Sequence, residues 1–166
     1  MEIFIIAVLS ADGFLAENKG QAADWSSSED KKFFARITKE AGVVVMGSAT
    51  FKTLGRPLKD RLNVVYSRTQ SFEGVETTQL KPDELLADLE KRGYTKAAII
   101  GGPSIYTLFM EAGLVQKLYL TIEPVSFGQG LTLFTKPIKS RLRLVSVQEL
   151  NENSVVLEYQ VVEKII

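Results

Sequence analysis

Short, continuous apolar runs alternate with segments of helical spacing along most of this sequence. The apolar runs are rich in Val, Ile, Phe and Tyr, and they are IFIIAVL, GVVVMG, LNVVYS, AAII and KLYLTI. The helical segments between them are EDKKFFARITKEA, DELLADLEKRG and SIYTLFMEAG. Apolar strands without polar alternation are typical of a parallel sheet that helices cover on both faces. We therefore predict an α/β fold with a mostly parallel central sheet and helices on both faces.

The last part of the chain has a different pattern. In RLRLVSVQELNENSVVLEYQVVEKI, polar and apolar residues alternate on both sides of NENS, which is typical of an antiparallel β-hairpin. The sequence contains no internal repeat and no linker-like segment, and 166 residues suit one domain of ordinary size. We predict a single domain over residues 1–166 that ends in a hairpin at one edge of the sheet.

Composition narrows the chemistry that this chain can perform. The 20 acidic and 20 basic residues cancel, so no global field draws the chain to nucleic acid or to a membrane. The absence of Cys and His excludes thiolate nucleophiles, the usual zinc sites and Ser/His pairs. The apolar start is too short and wrongly flanked for a signal or a membrane span. We predict a cytoplasmic protein, without a metal, that acts on small molecules.

Polar or glycine-containing segments follow four of the predicted strands. Ligands of α/β sheets bind at the carboxyl ends of the strands, where such segments lie. The segment after IFIIAVL is a long loop, SADGFLAENKGQAADW, and long loops are often lids. The others are GSATF, SRT and GGPSIY. Two helix starts, in GSATF and GGPSIY, suit the phosphates of a ligand, although a tight turn that needs glycine explains GGPSIY equally well.

The segment DWSSSEDKKFF combines a helix start with a pair of carboxylates. Ser27 with Asp30, or Ser26 with Glu29, satisfies the capping-box pattern. Helical spacing brings four residues to one face, and these are Asp30, Phe33, Phe34 and Ile37. A carboxylate on an apolar face is paired, protonated or functional. We predict that Glu29 caps the helix while Asp30 faces a pocket, with a capping role for Asp30 as the alternative.

Three segments resemble dihydrofolate reductase in the order, spacing and flanking of their strands. They are DWSSSEDKKFF, VVMGSATFKTLGRPLKDRLNVVYSR, and IIGGPSIYTLF followed by KLYLT. The similarity extends from about Ile3 to Phe134, and its most specific parts are the block from Met46 to Ser67 and the spacing from Trp25 to Asp30. The resemblance implies NADPH-dependent reduction of dihydrofolate to tetrahydrofolate. A nicotinamide hydride passes to a pterin carbon while the adjacent nitrogen gains a proton.

The resemblance also implies roles for individual residues. Asp30, Trp25 and Thr121 would be catalytic, with Asp30 as the carboxylate of the pterin pocket and Thr121 in its hydrogen-bond network. The implied substrate-binding residues are Ala7, Val8, Asp30, Phe34, Leu54, Arg61, Ile100 and Thr121. Arg61 would hold the α-carboxylate of the glutamate tail, to which a planar guanidinium is suited. The mobile lid over the nicotinamide would pass through Leu15, Ala16, Asn18 and Trp25.

A larger set of residues is implied for the cofactor NADPH. It comprises Ala7, Leu15, Gly47, Ser48, Ala49, Thr50, Ser67, Arg68, Ile100, Gly101, Gly102, Ser104, Ile105 and Tyr106. Ser48 and Ser104 occupy positions where the family commonly has basic residues that contact the 2′-phosphate. Arg68 is the candidate replacement, and NADPH is therefore preferred over NADH. Lys31 likewise occupies a position where an apolar residue often contacts the substrate.

Two alternatives remain open from the sequence. PVSFGQGLTLF, with Leu131 at a position that is usually acidic, resembles instead the reductase domain of riboflavin biosynthesis. That resemblance implies NADPH-dependent reduction of a ribosyl-amino-pyrimidine phosphate in a basic or serine-rich pocket. The second alternative is a non-catalytic nucleotide-binding module, which predicts an Asp30 held in a structural pair or a closed pocket. Monomer and homodimer are both compatible with the sequence.

Overall fold

A computed structural model describes residues 1–165 of the chain. The predicted domain of residues 1–166 includes Ile166, which lies outside the described residues. The elements in chain order are β1 Glu2–Ser10, α1 Ser28–Ala41, β2 Val43–Gly47, α2 Ser48–Leu54, β3 Leu62–Tyr66, β4 Glu76–Thr78, α3 Pro82–Lys91, β5 Lys96–Gly101, α4 Pro103–Glu111, β6 Lys117–Glu123, β7 Ser140–Asn151 and β8 Ser154–Lys164.

The eight strands form one sheet in the order β4-β3-β2-β5-β1-β6-β8-β7. All neighbours from β4 to β6 pair in parallel, and β8 runs antiparallel to both β6 and β7. The predicted α/β fold, with its mostly parallel sheet and its C-terminal hairpin at one edge, is confirmed. The only strand within residues 1–165 that the sequence did not predict is β4, whose three residues carry no recognisable pattern.

Two apolar cores lie on opposite faces of the sheet. On one face, α3 and α4 bury Leu89 and Phe109 against the central strands. On the other face, α1 and α2 contribute Phe33 and Phe51. Because both faces are covered, the central strand residues 43–46 are fully buried, which explains their unbroken apolar run. Burial of each such side chain contributes roughly 1.5–3 kcal/mol.

The start of α1 differs from the predicted capping box. Ser27 is the N-cap, and its Oγ accepts from the Asp30 amide at 3.1 Å. The prediction that Glu29 caps the helix is wrong, because its carboxylate accepts from the Ser28 hydroxyl instead. The carboxyl group of Asp30 does not bond the Ser27 amide either, because that amide donates to Glu123 on β6 at 3.1 Å. The Asp30 side chain therefore faces the interior, with 7% of its surface exposed.

No helix among residues 1–165 combines the length and the apolar character that a membrane crossing requires.

Candidate active site

The carboxyl ends of β1, β2, β3 and β5 open into one cavity of about 1490 Å³. All four segments that were predicted to bind ligands contribute to its lining. This volume exceeds the roughly 300–1,000 Å³ of a pocket for one drug-sized ligand. The cavity therefore has room for a dinucleotide and a second molecule together.

The lining contains most of the residues that the resemblance assigned to substrate and cofactor. They are Ala7, Val8, Leu15, Asp30, Phe34, Gly47, Ser48, Ala49, Thr50, Leu54, Ser67, Arg68, Ile100, Gly101, Gly102, Ser104, Ile105 and Tyr106. Trp25, Arg61 and Thr121 are not part of this lining. The geometry thus brings the two predicted sets into one cavity and leaves three predicted residues beside it.

Asp30 is the buried carboxyl group of this cavity. Burial raises its pKa above the ordinary value of 3.8, and the negative charge of Glu123 raises it further. The nearby hydroxyls of Thr121 and Ser26, together with the ammonium of Lys31, act in the opposite direction and lower the pKa. The net shift is upward, so Asp30 keeps a proton to higher pH than an exposed aspartate.

The two hydroxyls beside Asp30 differ in what they can donate. Thr121 is fully buried on β6, directly across from Val8 of β1. Ser26 is also buried, but its hydroxyl lies 3.0 Å from the carbonyl oxygen of Ala23. Because a hydroxyl has one proton, a Ser26 hydroxyl that donates to Ala23 cannot donate to Asp30 at the same time.

Trp25 lies beside the large cavity and lines a smaller one of about 350 Å³ together with Ser27 and Glu123. Its ring packs edge-on against Phe127, with the ring centroids 5.1 Å apart. The indole Nε1 is buried, and no hydrogen-bond partner for it is found in residues 1–165. Trp25 thus packs against the segment after β6, while the lid residues Leu15, Ala16 and Asn18 line the large cavity itself.

Arg61 is connected to the cavity through α1. Its Nη1 donates to Thr38 Oγ1 at 2.6 Å, and its Nε donates to the Lys59 carbonyl oxygen at 2.8 Å. The buried Thr38 hydroxyl in turn donates to the carbonyl oxygen of Phe34, which lines the cavity. A guanidinium has five donor hydrogens, so donors of Arg61 remain for an anion at the cavity edge.

The cofactor half of the cavity is built from helix starts and glycines. The helices α2 and α4 begin after Gly47 and Gly102 without a side-chain cap, so backbone amides remain for phosphate oxygens. At α4 the first residue, Pro103, has no N–H and the Ile105 amide donates to the Gly102 carbonyl oxygen, which leaves the Ser104 amide. Gly101 has a φ of 137°, and a Cβ there would lie 3.2 Å from Thr50 Oγ1. A cis peptide bond joins Gly101 to Gly102. The positive φ and the close contact with Thr50 both favour glycine at Gly101, which lines the cavity.

The far end of the cavity combines a buried hydroxyl with two cations. Burial and the nearby Asp83 raise the pKa of Tyr66 to about 12, and within residues 1–165 its hydroxyl has no partner. Arg68, two residues later, lines the same cavity, as does Lys81 at the start of α3. Tyr66 and Lys81 are not among the residues that the sequence predicted for the site. The sequence feature that could have identified Lys81 is its position immediately before Pro82, because proline is common in the first turn of a helix.

The loop after β1 is fastened to the segment after β6. The Asp12 carboxylate accepts from the Ser10 hydroxyl and from the amides of Phe127 and Gly128, and these hydrogen bonds hold its pKa below its ordinary value. Further along, the Leu15 amide donates to the Leu131 carbonyl oxygen at 2.8 Å. Leu131 therefore joins this loop through its backbone, and it also lines the cavity.

Besides Lys81, three further lysines line the cavity, namely Lys19, Lys31 and Lys52. Lys31 follows Asp30 directly, and its Nζ donates to the Ser26 carbonyl oxygen at 3.2 Å. No group of His, Cys, Asp and Glu side chains within residues 1–165 is arranged to hold a metal ion. The chemistry of the cavity thus depends on one buried carboxyl group, hydroxyls, cations and backbone amides.

Comparison with known proteins shows one family by sequence and the same fold in solved structures. The family model described as "Dihydrofolate reductase" matches residues 2–164. The chain is 31% identical over 164 residues to "Dihydrofolate reductase type 9" of Escherichia coli, covering 95% of this chain and 89% of the relative.

Two solved structures have the same fold. One is a putative riboflavin biosynthesis protein from Shewanella sp. PV-4, with a TM-score of 0.81 and 18% identity over 98% of this chain and 100% of the other. The second is a diaminohydroxyphosphoribosylaminopyrimidine deaminase/5-amino-6-(5-phosphoribosylamino)uracil reductase from Thermotoga maritima, with a TM-score of 0.82 and 13% identity over 97% of this chain and 56% of the other. At these identities the likeness concerns the fold alone.

Proposed function

The chain belongs to the dihydrofolate reductase family of oxidoreductases, and we propose that it reduces 7,8-dihydrofolate to tetrahydrofolate with NADPH. The observation that carries this proposal is the buried Asp30 in a cavity with room for two ligands. The reaction needs neither a thiol nor a histidine, and the sequence has neither. NADPH supplies the hydride when it is bound.

In this proposal Asp30 binds the pterin and handles the proton. Its carboxyl group hydrogen-bonds the amino group and the adjacent ring nitrogen of the pterin, while Thr121 holds the carboxyl group from β6. Because its pKa is raised, Asp30 keeps its proton to a higher pH than an exposed aspartate would. Through a water molecule, that proton assists protonation of the ring nitrogen next to the carbon that is reduced.

The remaining lining residues hold and align the two ligands. The amides at the starts of α2 and α4 bind the phosphates of the cofactor, and Arg68 binds the 2′-phosphate in place of the basic residues that Ser48 and Ser104 replace. Tyr106 donates to the Ile6 carbonyl oxygen at 2.9 Å and so fixes α4 against β1 near the reacting rings. The loop through Leu15 excludes water from the cavity.

Arg61 is proposed to bind the α-carboxylate of the glutamate tail with the donors that Thr38 and Lys59 leave unused. Its bond to Thr38 orients the guanidinium before the ligand arrives, which lowers the ordering cost of binding. This role requires the glutamate tail to leave the cavity past Phe34. Phe34 lies in α1, between Asp30 and Thr38 in the sequence.

One observation favours the pyrimidine phosphate of riboflavin biosynthesis as a second candidate substrate. Lys31 and Lys52 line the cavity, whereas Arg61 does not. Cations in the pocket suit a sugar phosphate better than the apolar aminobenzoyl group of dihydrofolate. The non-catalytic alternative is not favoured, because the cavity is open and because Asp30 forms no ion pair within residues 1–165.

Steady-state kinetics with both substrates test the proposal. NADPH oxidation by the purified chain is followed by near-ultraviolet absorbance, with dihydrofolate in one series and the deaminated ribosyl-amino-pyrimidine phosphate in another. The proposal predicts a higher kcat/KM for dihydrofolate. A higher kcat/KM for the pyrimidine phosphate would move the protein to the second candidate, and no turnover of either would contradict both.

A further inference from the structure

A second carboxylate, that of Glu123, is buried next to the site and has no part in the proposed mechanism. Glu123 ends β6 two residues after Thr121, so both side chains point to the face that α1 covers. Only 2% of its surface is exposed, and no Lys or Arg of residues 1–165 forms an ion pair with it. Neither composition nor the family resemblance drew attention to this residue.

The partners of Glu123 are all donors. Its Oε1 accepts from the amide and the hydroxyl of Ser27, at 3.1 and 2.7 Å, and its Oε2 accepts from the Ser154 hydroxyl at 2.7 Å. An ionised carboxylate, which only accepts hydrogen bonds, matches this set of donors. Glu123 thereby joins the start of α1 to the start of β8.

The Ser27 hydroxyl extends this contact to Asp30. While it donates to Glu123, the same oxygen accepts from the Asp30 amide at 3.1 Å. Glu123 thus holds the backbone of Asp30 through Ser27, and Thr121 of the same strand acts on its carboxyl group. The position of Asp30 therefore depends on the sheet as well as on the helix.

Glu123 also acts on Asp30 through its charge. The groups that face the Asp30 carboxyl are the hydroxyls of Thr121 and Ser26, the ammonium of Lys31, and the carboxylate of Glu123. Among these four, Glu123 alone favours the protonated form, by repulsion between like charges. Burial acts in the same direction and is the larger cause.

We propose that Glu123 is a positioning residue for Asp30, which it fixes through Ser27 while placing a second negative charge beside the Asp30 carboxyl. The effect of Glu123 on catalysis rests on the function proposed above. Its effects on the position of the Asp30 backbone and on the protonation of the Asp30 carboxyl group do not. The two halves of the proposal, charge and position, require separate variants.

Glu123→Gln tests the charge. Glutamine keeps an oxygen for the Ser27 donors, and its amide group can donate to the Ser154 hydroxyl, so the geometry is preserved. The matched control is Glu29→Gln, which removes the charge of a partly exposed glutamate one residue before Asp30. The readout is the carboxyl carbon of Asp30 in protein labelled at its six aspartates, identified with Asp30→Asn and titrated by NMR without substrate.

We expect the Asp30 signal to titrate at lower pH in Glu123→Gln than in the unmodified protein, and to be unchanged in Glu29→Gln. Because no substrate is present, this result is independent of which reaction the enzyme catalyses. Titration at the same pH in all three proteins would overturn the charge half of the proposal.

Ser27→Ala tests the position, with Ser27→Thr as the conservative control that keeps the hydroxyl. We expect Ser27→Ala to lower kcat on the order of tenfold, with KM for NADPH unchanged, and Ser27→Thr to restore most of the loss. In both proteins, exchange of the Asp30 amide is measured by NMR without substrate. Faster exchange in Ser27→Ala alone supports the proposal, and equal exchange together with equal kcat overturns it, even if Glu123→Gln does not fold.

Discussion

Asp30 carries the chemistry of this account at the scale of a single residue. We predict that Asp30→Asn keeps the fold and the affinity for NADPH but lowers kcat with dihydrofolate about 10²–10⁴-fold at neutral pH, because the amide cannot supply the proton. Stopped-flow absorbance gives the rate, and quenching of tryptophan fluorescence gives the NADPH affinity. Glu29→Gln is the control, and a fully active Asp30→Asn would remove Asp30 from its role.

The pH dependence of the reaction follows from the same carboxyl group. The pKa of Asp30 lies above 3.8, chiefly because of burial, so the proton is present below the raised pKa and lost as the pH rises through it. We predict that kcat falls with rising pH across that range, and that the fall is absent from the residual activity of Asp30→Asn. A pH-rate profile of each protein checks this, and identical profiles would contradict it.

Arg61 is a predicted substrate-binding residue that lies outside the cavity lining. Its guanidinium lies outside the cavity lining and is oriented by Thr38, so it can act only on a ligand that extends past the cavity. We predict that Arg61→Ala raises KM for dihydrofolate severalfold while a pterin without the glutamate tail is reduced as before. An equal loss for both substrates would show that Arg61 serves only the structure of α1.

At the scale of elements, the loop after β1 depends on one close backbone contact. A Cβ at Gly130 would lie 2.2 Å from the Ala16 carbonyl oxygen, which accepts from the Leu131 amide. We predict that Gly130→Ala separates the two segments, speeds hydrogen exchange at the amides of Leu15 and Leu131, and lowers kcat. Gly128→Ala is the control, because its φ of 75° carries backbone strain of the same kind as the φ of 159° at Gly130, while its Cβ meets nothing within 4 Å. Equal exchange in both variants would contradict this account.

The elements were more predictable than the contacts between them. The unbroken apolar run of residues 43–46 predicted a strand covered on both faces, and burial on both faces is what the structure has. The capping pattern also identified Ser27 as a candidate N-cap. However, the Ser27 amide, which a capping box would bond to the Asp30 carboxyl group, bonds Glu123, a residue distant in sequence. Local patterns specify caps and faces, whereas a partner on another strand depends on the assembled sheet.

At the scale of the whole molecule, we expect the buried Asp30 to lower the free energy of unfolding at neutral pH. A carboxyl group whose pKa is raised by folding contributes stability below its unfolded pKa, and that stability is lost as the pH rises through the folded pKa. We predict that Asp30→Asn melts at a higher temperature than the unmodified protein at neutral pH, and that the difference shrinks towards pH 3.8. Calorimetry at several pH values measures this, and a constant difference would contradict it.

The fold and the location of the cavity could be predicted from the sequence, because strand ends and glycine-rich turns identify the ligand edge of an α/β sheet. What could not be predicted is which side chains reach the cavity. Arg61 and Thr38 meet across 23 positions of sequence, and Tyr66 and Lys81 come from different elements. These contacts are set by packing between helices and the sheet.

Deuterium transfer tests the central claim most directly. The purified chain is incubated with dihydrofolate and with NADPH in which the hydrogen that is transferred as hydride is replaced by deuterium. The mass of the product is then measured by mass spectrometry. The account predicts tetrahydrofolate that contains one deuterium, formed by the unmodified protein and formed far more slowly by Asp30→Asn. Product without deuterium, or deuterium found only when the pyrimidine phosphate is the substrate, would contradict it.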